Sequence, residues 1–300
     1  MKAVVAALLL AFVSCGCSDE GSAPAAGQPA VPQAELTPLD GGNGVFIASP
    51  LGGVALGYEE HEYLASGIAT SWQSSEALTD DGLWSFEPDS TAEYRTRVLV
   101  RRPSDAAAAS GTVIVEWLNV SGGVDADPEY ASLSEEVTRE GHVWVGVSAQ
   151  LVGVEGGPVL VAAGGSDLAG KGLKAIDPAR YGSLHHPGDG YAFDIFTQVA
   201  RAVRGGGEVL GGIHPDRVIA AGESQSAFAL TTYYDGVQPL SKAFDAFFVH
   251  SRAAVPLPLV GDGEYADIVK AILSPVHPVF RDDLQVPVLD LQSESASPGS

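Results

Sequence analysis

The stretch Arg217-Val218-Ile219-Ala220-Ala221-Gly222-Glu223-Ser224-Gln225-Ser226-Ala227-Phe228-Ala229-Leu230 decides the fold. Residues 217–221 read as a short buried strand, and 227–234 continue as an apolar, helix-like run with no breaker. A serine on a tight strand-to-helix turn is presented above the sheet. Its hydroxyl lies over the positive end of the helix dipole, where free backbone N–H groups can hold an oxyanion. The spacing matches G-x-S-x-G except that Ser226 takes the last glycine position. A small residue is needed there because strand and helix pass close together, and serine is among the next smallest. Three fixed positions in a Gly- and Ser-rich chain are a weak signal, and an ordinary β-turn-α connection is the plain alternative. The flanking strand and helix favour a nucleophile elbow. Such a turn predicts a positive φ at Ser224 and a hydroxyl beside a pocket.

Outward from this turn the chain alternates. Val45–Ile47 and Tyr94–Arg101 read as strands, the second with a two-residue period, and Thr112–Leu118 as a strongly apolar strand. Asp127 suits an N-cap, Pro128 the first helical turn, and Tyr130, Leu133 and Val137 form one face before Gly141 ends the helix. His142–Ala149 is another apolar strand. After a Gly-rich stretch, Phe196, Val199, Ala200 and Val203 recur at helical spacing. Phe244–Val249 and Val286–Leu291 read as strands, and the less regular Leu257–Phe280 as a cap or lid. Strands apolar throughout and alternating with helices predict an α/β fold, with a mostly parallel central sheet covered by helices on both faces.

The N-terminal segment reads as an address. Lys2 precedes an apolar run, Ala3–Val13, too short to span a bilayer, and Ser14-Cys15-Gly16-Cys17 follows. Residues 1–17 are therefore expected to be a bacterial lipoprotein-type signal with Cys15 or Cys17 lipidated. A plain secretory signal is the alternative, and export follows from either. Residues 18–37 read as a disordered linker, about 20 residues reaching at most roughly 60 Å, and the folded domain as residues 38–300. Both cysteines lie in the leader. The formal charge of −22, from 16 Lys+Arg against 38 Asp+Glu, repels nucleic acid and anionic headgroups. Nucleic acid is thus excluded as a partner, and membrane contact is expected only through an N-terminal lipid.

Four stretches together resemble the α/β-hydrolases, and in particular a bacterial family known only as alpha/beta hydrolase domain-containing. They are Val115–Gly123, Leu184–Asp189, the Ser224 turn, and Val286-Pro287-Val288 with Gln292-Ser293-Glu294. The resemblance covers roughly residues 38–294. It implies that Ser224 is the nucleophile and that the Gln225 N–H is one oxyanion donor. It also implies a second donor from the loop at Asn119 and Val120, and Glu294 as the acid that orients a histidine. Two plainer readings stay open: Gly122-Gly123 as a simple turn, and Glu294 as a solvated loop residue. No cofactor is implied.

The histidine is the difficulty. All seven histidines precede Glu294, whereas this fold's chain order is Ser, acid, His. His214 and His250 read as structural. His185-His186 reads as part of a loop rather than a metal cluster, with Asp189 or Asp194 starting the next helix. His186 is the first suspect should an earlier histidine reach the serine. After Glu294 only Ser295–Ser300 remain. The reading is therefore a chain whose last strand and helix are missing, leaving Val286–Leu291 as an exposed edge. The expected function is ester hydrolysis through an acyl-enzyme on a small-molecule ester, impaired in this 300-residue form. The alternative is a non-catalytic, exported remnant or binding protein on the same scaffold.

Overall fold

Among the described residues eight strands form one sheet: β1 (Glu35–Pro38), β2 (Tyr58–Gln73), β3 (Glu87–Pro103), β4 (Thr112–Trp117), β5 (Val143–Val147), β6 (Arg217–Glu223), β7 (Ala246–His250) and β8 (Val288–Leu291). Their order across the sheet is β1-β2-β3-β5-β4-β6-β7-β8. The pairings β1–β2, β2–β3 and β3–β5 are antiparallel, and the four from β5 through β4, β6 and β7 to β8 are parallel. The computed structural model describes residues 31–51, 53–161 and 167–293. The leader with Cys15 and Cys17, most of the expected linker, and Glu294 lie outside them. No helix among the described residues is long and apolar enough to cross a membrane.

The two-residue period of the strands sorts side chains onto two cores. Val98, Val100, Val113, Val115, Trp117, Val143, Val145 and Val147 join one cluster, to which the helix Ala192–Arg204 supplies Phe193, Phe196 and Val199. Their neighbours Leu99 and Trp144 join the opposite cluster, with Tyr130 and Val137 of the first helix. Every residue of β5 is buried. Both faces of the central strands are therefore covered.

The helices are α1 (Pro128–Arg139), α2 (Leu151–Glu155), α3 (Gly172–Ile176), α4 (Pro178–Tyr181), α5 (Ala192–Arg204), α6 (Gln225–Thr232), α7 (Gln238–Ser241) and α8 (Ile268–Ile272). A π-helical turn, Tyr233–Val237, joins α6 to α7. Asp127 is the N-cap residue of α1, but its side chain does not cap. Its carboxylate instead takes the Arg101 guanidinium at 2.6 Å. The capping falls to Glu116 of β4, which accepts the Glu129 and Tyr130 N–H groups, each at 3.0 Å, and the Trp144 indole at 2.8 Å.

Other sequence expectations need correction. Residues 45–47 form no strand; Ala48 makes only a single bridge to Ala126. The linker expected through Thr37 ends earlier, because Glu35–Pro38 pairs with Tyr63–Ser66 and Ala34 is buried. That strand has one large apolar residue, Leu36, and so carries no alternation to read. β2 was not expected at all. Its polar composition is accommodated because Glu62 is buried against Arg97 and Arg180. The segment 257–280 starts pinned to α6, with the Leu257 N–H on Phe228 O at 3.0 Å and the Thr232 hydroxyl on Leu257 O at 2.6 Å. β8 is the outermost strand in the sheet order, with Leu289 and Leu291 exposed.

Arg97 ties the antiparallel half to the centre. Fully buried, it donates to Asp125 at 2.6 Å, Glu62 at 3.3 Å, Ser148 Oγ at 2.8 Å and Phe46 O at 2.9 Å. Breaking such a pair strands buried charge. Arg97→Ala is expected to lower stability by about 3–5 kcal/mol in urea unfolding; a loss under 1 kcal/mol would contradict this reading.

Candidate active site

β6 ends at Glu223 and α6 begins at Gln225, leaving Ser224 alone at the junction with φ 57° and ψ −118°. A non-glycine residue in that region carries strain of roughly 1–3 kcal/mol and persists only where neighbours over-determine it. Here the Ser224 N–H donates to His250 O at 2.8 Å, and Ser224 O accepts the Phe228 N–H at 3.2 Å. The close passage of strand and helix is real, but its demand falls on Gly222. A Cβ there would stand 3.0 Å from Ser226 Cβ and 3.1 Å from Leu230 Cδ1. With Gly222 bare, Ser226 fits, fully buried, its hydroxyl without a hydrogen-bond partner among the described residues.

Ser224 lines a cleft of about 360 Å³ with Asn119, Ser121, Gly122, Val161 and Glu223. The structure thus brings together Ser224, Gln225, Asn119 and Val120, which are far apart in sequence. The Asn119 amide donates to Glu223 O at 2.9 Å, binding the 119–123 loop to the turn. Its Oδ1 accepts the Ser121 N–H at 2.9 Å and hydroxyl at 2.6 Å. The Val120 N–H donates to Gln225 Oε1 at 3.3 Å, and Gln225 Nε2 donates in turn to Gln150 Oε1. The Gln225 side chain therefore occupies one of the two expected oxyanion donors. Gly123, at φ 75°, is more than a plain turn residue: a Cβ there would fall 2.5 Å from Gly170 N, which donates to Gly123 O.

The family described as Alpha/beta hydrolase domain matches residues 30–299. The chain belongs to this family. Among solved structures it is similar to esterase Est22, at 15% identity over 69% of this chain and 45% of that one, TM-score 0.34. It is also similar to acetyl xylan esterase 1 from Thermoanaerobacterium sp. JW/SL YS485, at 12% identity over 74% of this chain and 53% of that one, TM-score 0.35. A third is XC6422 from Xanthomonas campestris, described as an a/b serine hydrolase without lid. It matches at 13% identity over 76% of this chain and 84% of that one, TM-score 0.33. The chain spans about half the length of the first two, 45% and 53%. No curated protein matches it.

In this α/β-hydrolase the titratable groups divide into structural and unassigned. His186 is structural: buried, it donates from Nε2 to Ala149 O at 2.8 Å and accepts the Gly188 N–H at Nδ1 at 3.2 Å. Burial also lowers its basicity. With both ring nitrogens engaged, it does not reach Ser224, contrary to the sequence suspicion. Asp189 accepts the Leu151 N–H at 2.7 Å and the Ala266 N–H at 2.8 Å, holding two loops together. Among the described residues no group of three or more His, Cys, Asp or Glu is placed to hold a metal. None of their imidazoles hydrogen-bonds the Ser224 hydroxyl.

Sequence reasoning missed Glu129. It is 1% exposed, and neither carboxyl oxygen has a hydrogen-bond partner among the described residues. His250 Nδ1 lies 3.2 Å from its Oε1 without hydrogen-bond alignment. Desolvation first, and the Glu223 charge second, push its pKa up to about 8. A helical first-turn acid is ordinarily solvated, so nothing in the sequence marked this one. The folded state binds the proton more tightly than the unfolded chain, so stability falls as pH rises from about 4.5 through about 8. Glu129→Gln removes this titration. Its thermal stability should match wild type near pH 5 and exceed it by on the order of 2–4 kcal/mol near pH 9. A difference independent of pH would show Glu129 to be ionised throughout.

Proposed function

We propose that this α/β-hydrolase is a serine esterase that works through an acyl-enzyme. The observation that carries this is Ser224, held at positive φ on the strand–helix turn and opening on a cleft walled by the 119–122 loop. Ser224 Oγ attacks the ester carbonyl and gives up its proton to a base. The oxyanion is held by the Gln225 N–H at the start of α6 and by an amide of the loop. Val120 supplies that amide once Gln225 Oε1 releases it. The alcohol then leaves, and water cleaves the acyl–Ser224 ester. Glu294 is the acid by resemblance. The base belongs after it in chain order, where these 300 residues hold no histidine.

The bare Ser224 hydroxyl favours one second reading, a scaffold that binds without turnover. One experiment separates the two. The chain should hydrolyse p-nitrophenyl butyrate measurably, at no more than roughly 10³–10⁴ over water, and Ser224→Ala should remove a large share of that rate. Turnover that survives Ser224→Ala intact would sink the esterase reading, and no turnover above water would favour the scaffold.

Export as a lipoprotein is a further part of the proposal, resting on Ser14–Cys17 behind the apolar run 3–13. Radiolabelled palmitate incorporated by the full chain, and lost when the one lipidated residue of Cys15 and Cys17 is replaced, is the expected result.

A further inference from the structure

Behind the 119–122 loop lies a second cavity of about 240 Å³, which the proposed mechanism leaves unused. Its apolar wall is made by Val120, Val152, Pro158, Leu160, Ile268 and Val269. Two polar side chains also border it, and both are already satisfied. Gln150 Oε1 accepts the Trp117 indole at 2.9 Å and the Gln225 amide, while its Nε2 reaches Asp189 at 3.3 Å. Asp267 caps α8, accepting the Val269 N–H at 3.0 Å and the Lys270 N–H at 3.2 Å. Tyr265, 43% exposed, stands at the rim. A cavity walled chiefly by apolar side chains, with Gln150 and Asp267 already hydrogen-bonded, favours an apolar occupant. An engineered apolar cavity of about 150 Å³ takes benzene, so this one has room for a somewhat larger group.

Val120 links this cavity to the chemistry. Its N–H is an expected oxyanion donor and its side chain lines the cavity wall. In an acyl-enzyme the carbonyl oxygen sits on the oxyanion donors, so the substituent of that carbonyl lies beside Val120. The alcohol is left to the Ser224 cleft, which is larger at about 360 Å³ and carries Asn119, Ser121 and Glu223. We propose that the cavity behind Val120 is the acyl-group site, which makes the substrates esters of medium-chain or aromatic acids, of roughly hexanoyl or benzoyl size. This rests on the esterase reading above. Carboxylates at Glu223 and Asp267 beside the two cavities make neutral or cationic esters the better ligands and anionic ones the poorer.

The acylation rates of p-nitrophenyl acetate, hexanoate, benzoate and laurate test it. Each methylene seated in apolar surroundings is worth about fourfold. Hexanoate and benzoate should therefore exceed acetate by on the order of tenfold or more, and laurate should fall back. Leu160→Trp and Val269→Trp, at positions 38% and 52% exposed and so tolerant of bulk, narrow the cavity. Each should cut the hexanoate-to-acetate ratio by about tenfold. A ratio unmoved in both variants, with Ser224-dependent acylation intact, overturns the site while leaving the esterase reading in place. A preference that follows the alcohol rather than the acyl group overturns it too. If no ester acylates Ser224, the esterase reading fails, and the cavity is judged by binding alone. Titration with benzyl alcohol should shift the methyl NMR signals of Val152 and Ile268, and Leu160→Trp should abolish the shifts. Unshifted methyls overturn the proposal.

Discussion

The approach of β6 to α6 at Gly222 is the constraint on which the rest of the structure depends. With no Cβ at Gly222, the helix backbone comes close enough for Ser226 to sit against the strand. The chain must then turn within one residue, and Ser224 takes the positive φ that makes the turn. The strain is held by the parallel neighbour β7, whose last residue accepts the Ser224 N–H. The same sheet places β4 on the other side of β6, so the loop leaving β4 arrives beside the turn. A serine hydroxyl, a helix N-terminus and a loop of amides thus meet as a consequence of strand order.

Buried acids and arginines fix that loop. Glu116 holds the N-terminus of α1, Arg101 takes Asp127 just before it, and Arg97 takes Asp125. The loop is clamped at both ends, by Asn119 on the turn and by these acids on the sheet. Arg97, Arg101, Arg180 and Arg252 are all buried. In a chain with only 16 Lys+Arg, cations committed to the interior leave the outer surface more acidic still.

What was legible in the sequence follows from range. Local patterns sufficed for β4, β5, β6 and β7, because continuous apolar runs are the mark of strands buried on both faces. They sufficed for α1 and α5, and for the Ser224 turn, because each carries its own period or punctuation. β2 was hidden because its buried polar side chain, Glu62, is acceptable only beside arginines from β3 and α4. Asp127 had the right residue type for a cap, yet Arg101 outbid the helix for its carboxylate. The clamp of Gln225 on Val120, and the meeting of Glu129 with His250, join positions more than 100 residues apart. No local spacing encodes such contacts.

The central claim is that the strained Ser224 carries the nucleophile. Its most direct measurement is the site of covalent modification by an alkyl fluorophosphonate, read by peptide mass spectrometry on the folded chain and again after urea unfolding. The account predicts a single adduct, on Ser224, that forms on the folded chain and does not form when the chain is unfolded before labelling, because the reactivity belongs to the turn. Modification at another serine, or labelling of Ser224 that persists in the unfolded chain at the same rate, would contradict it.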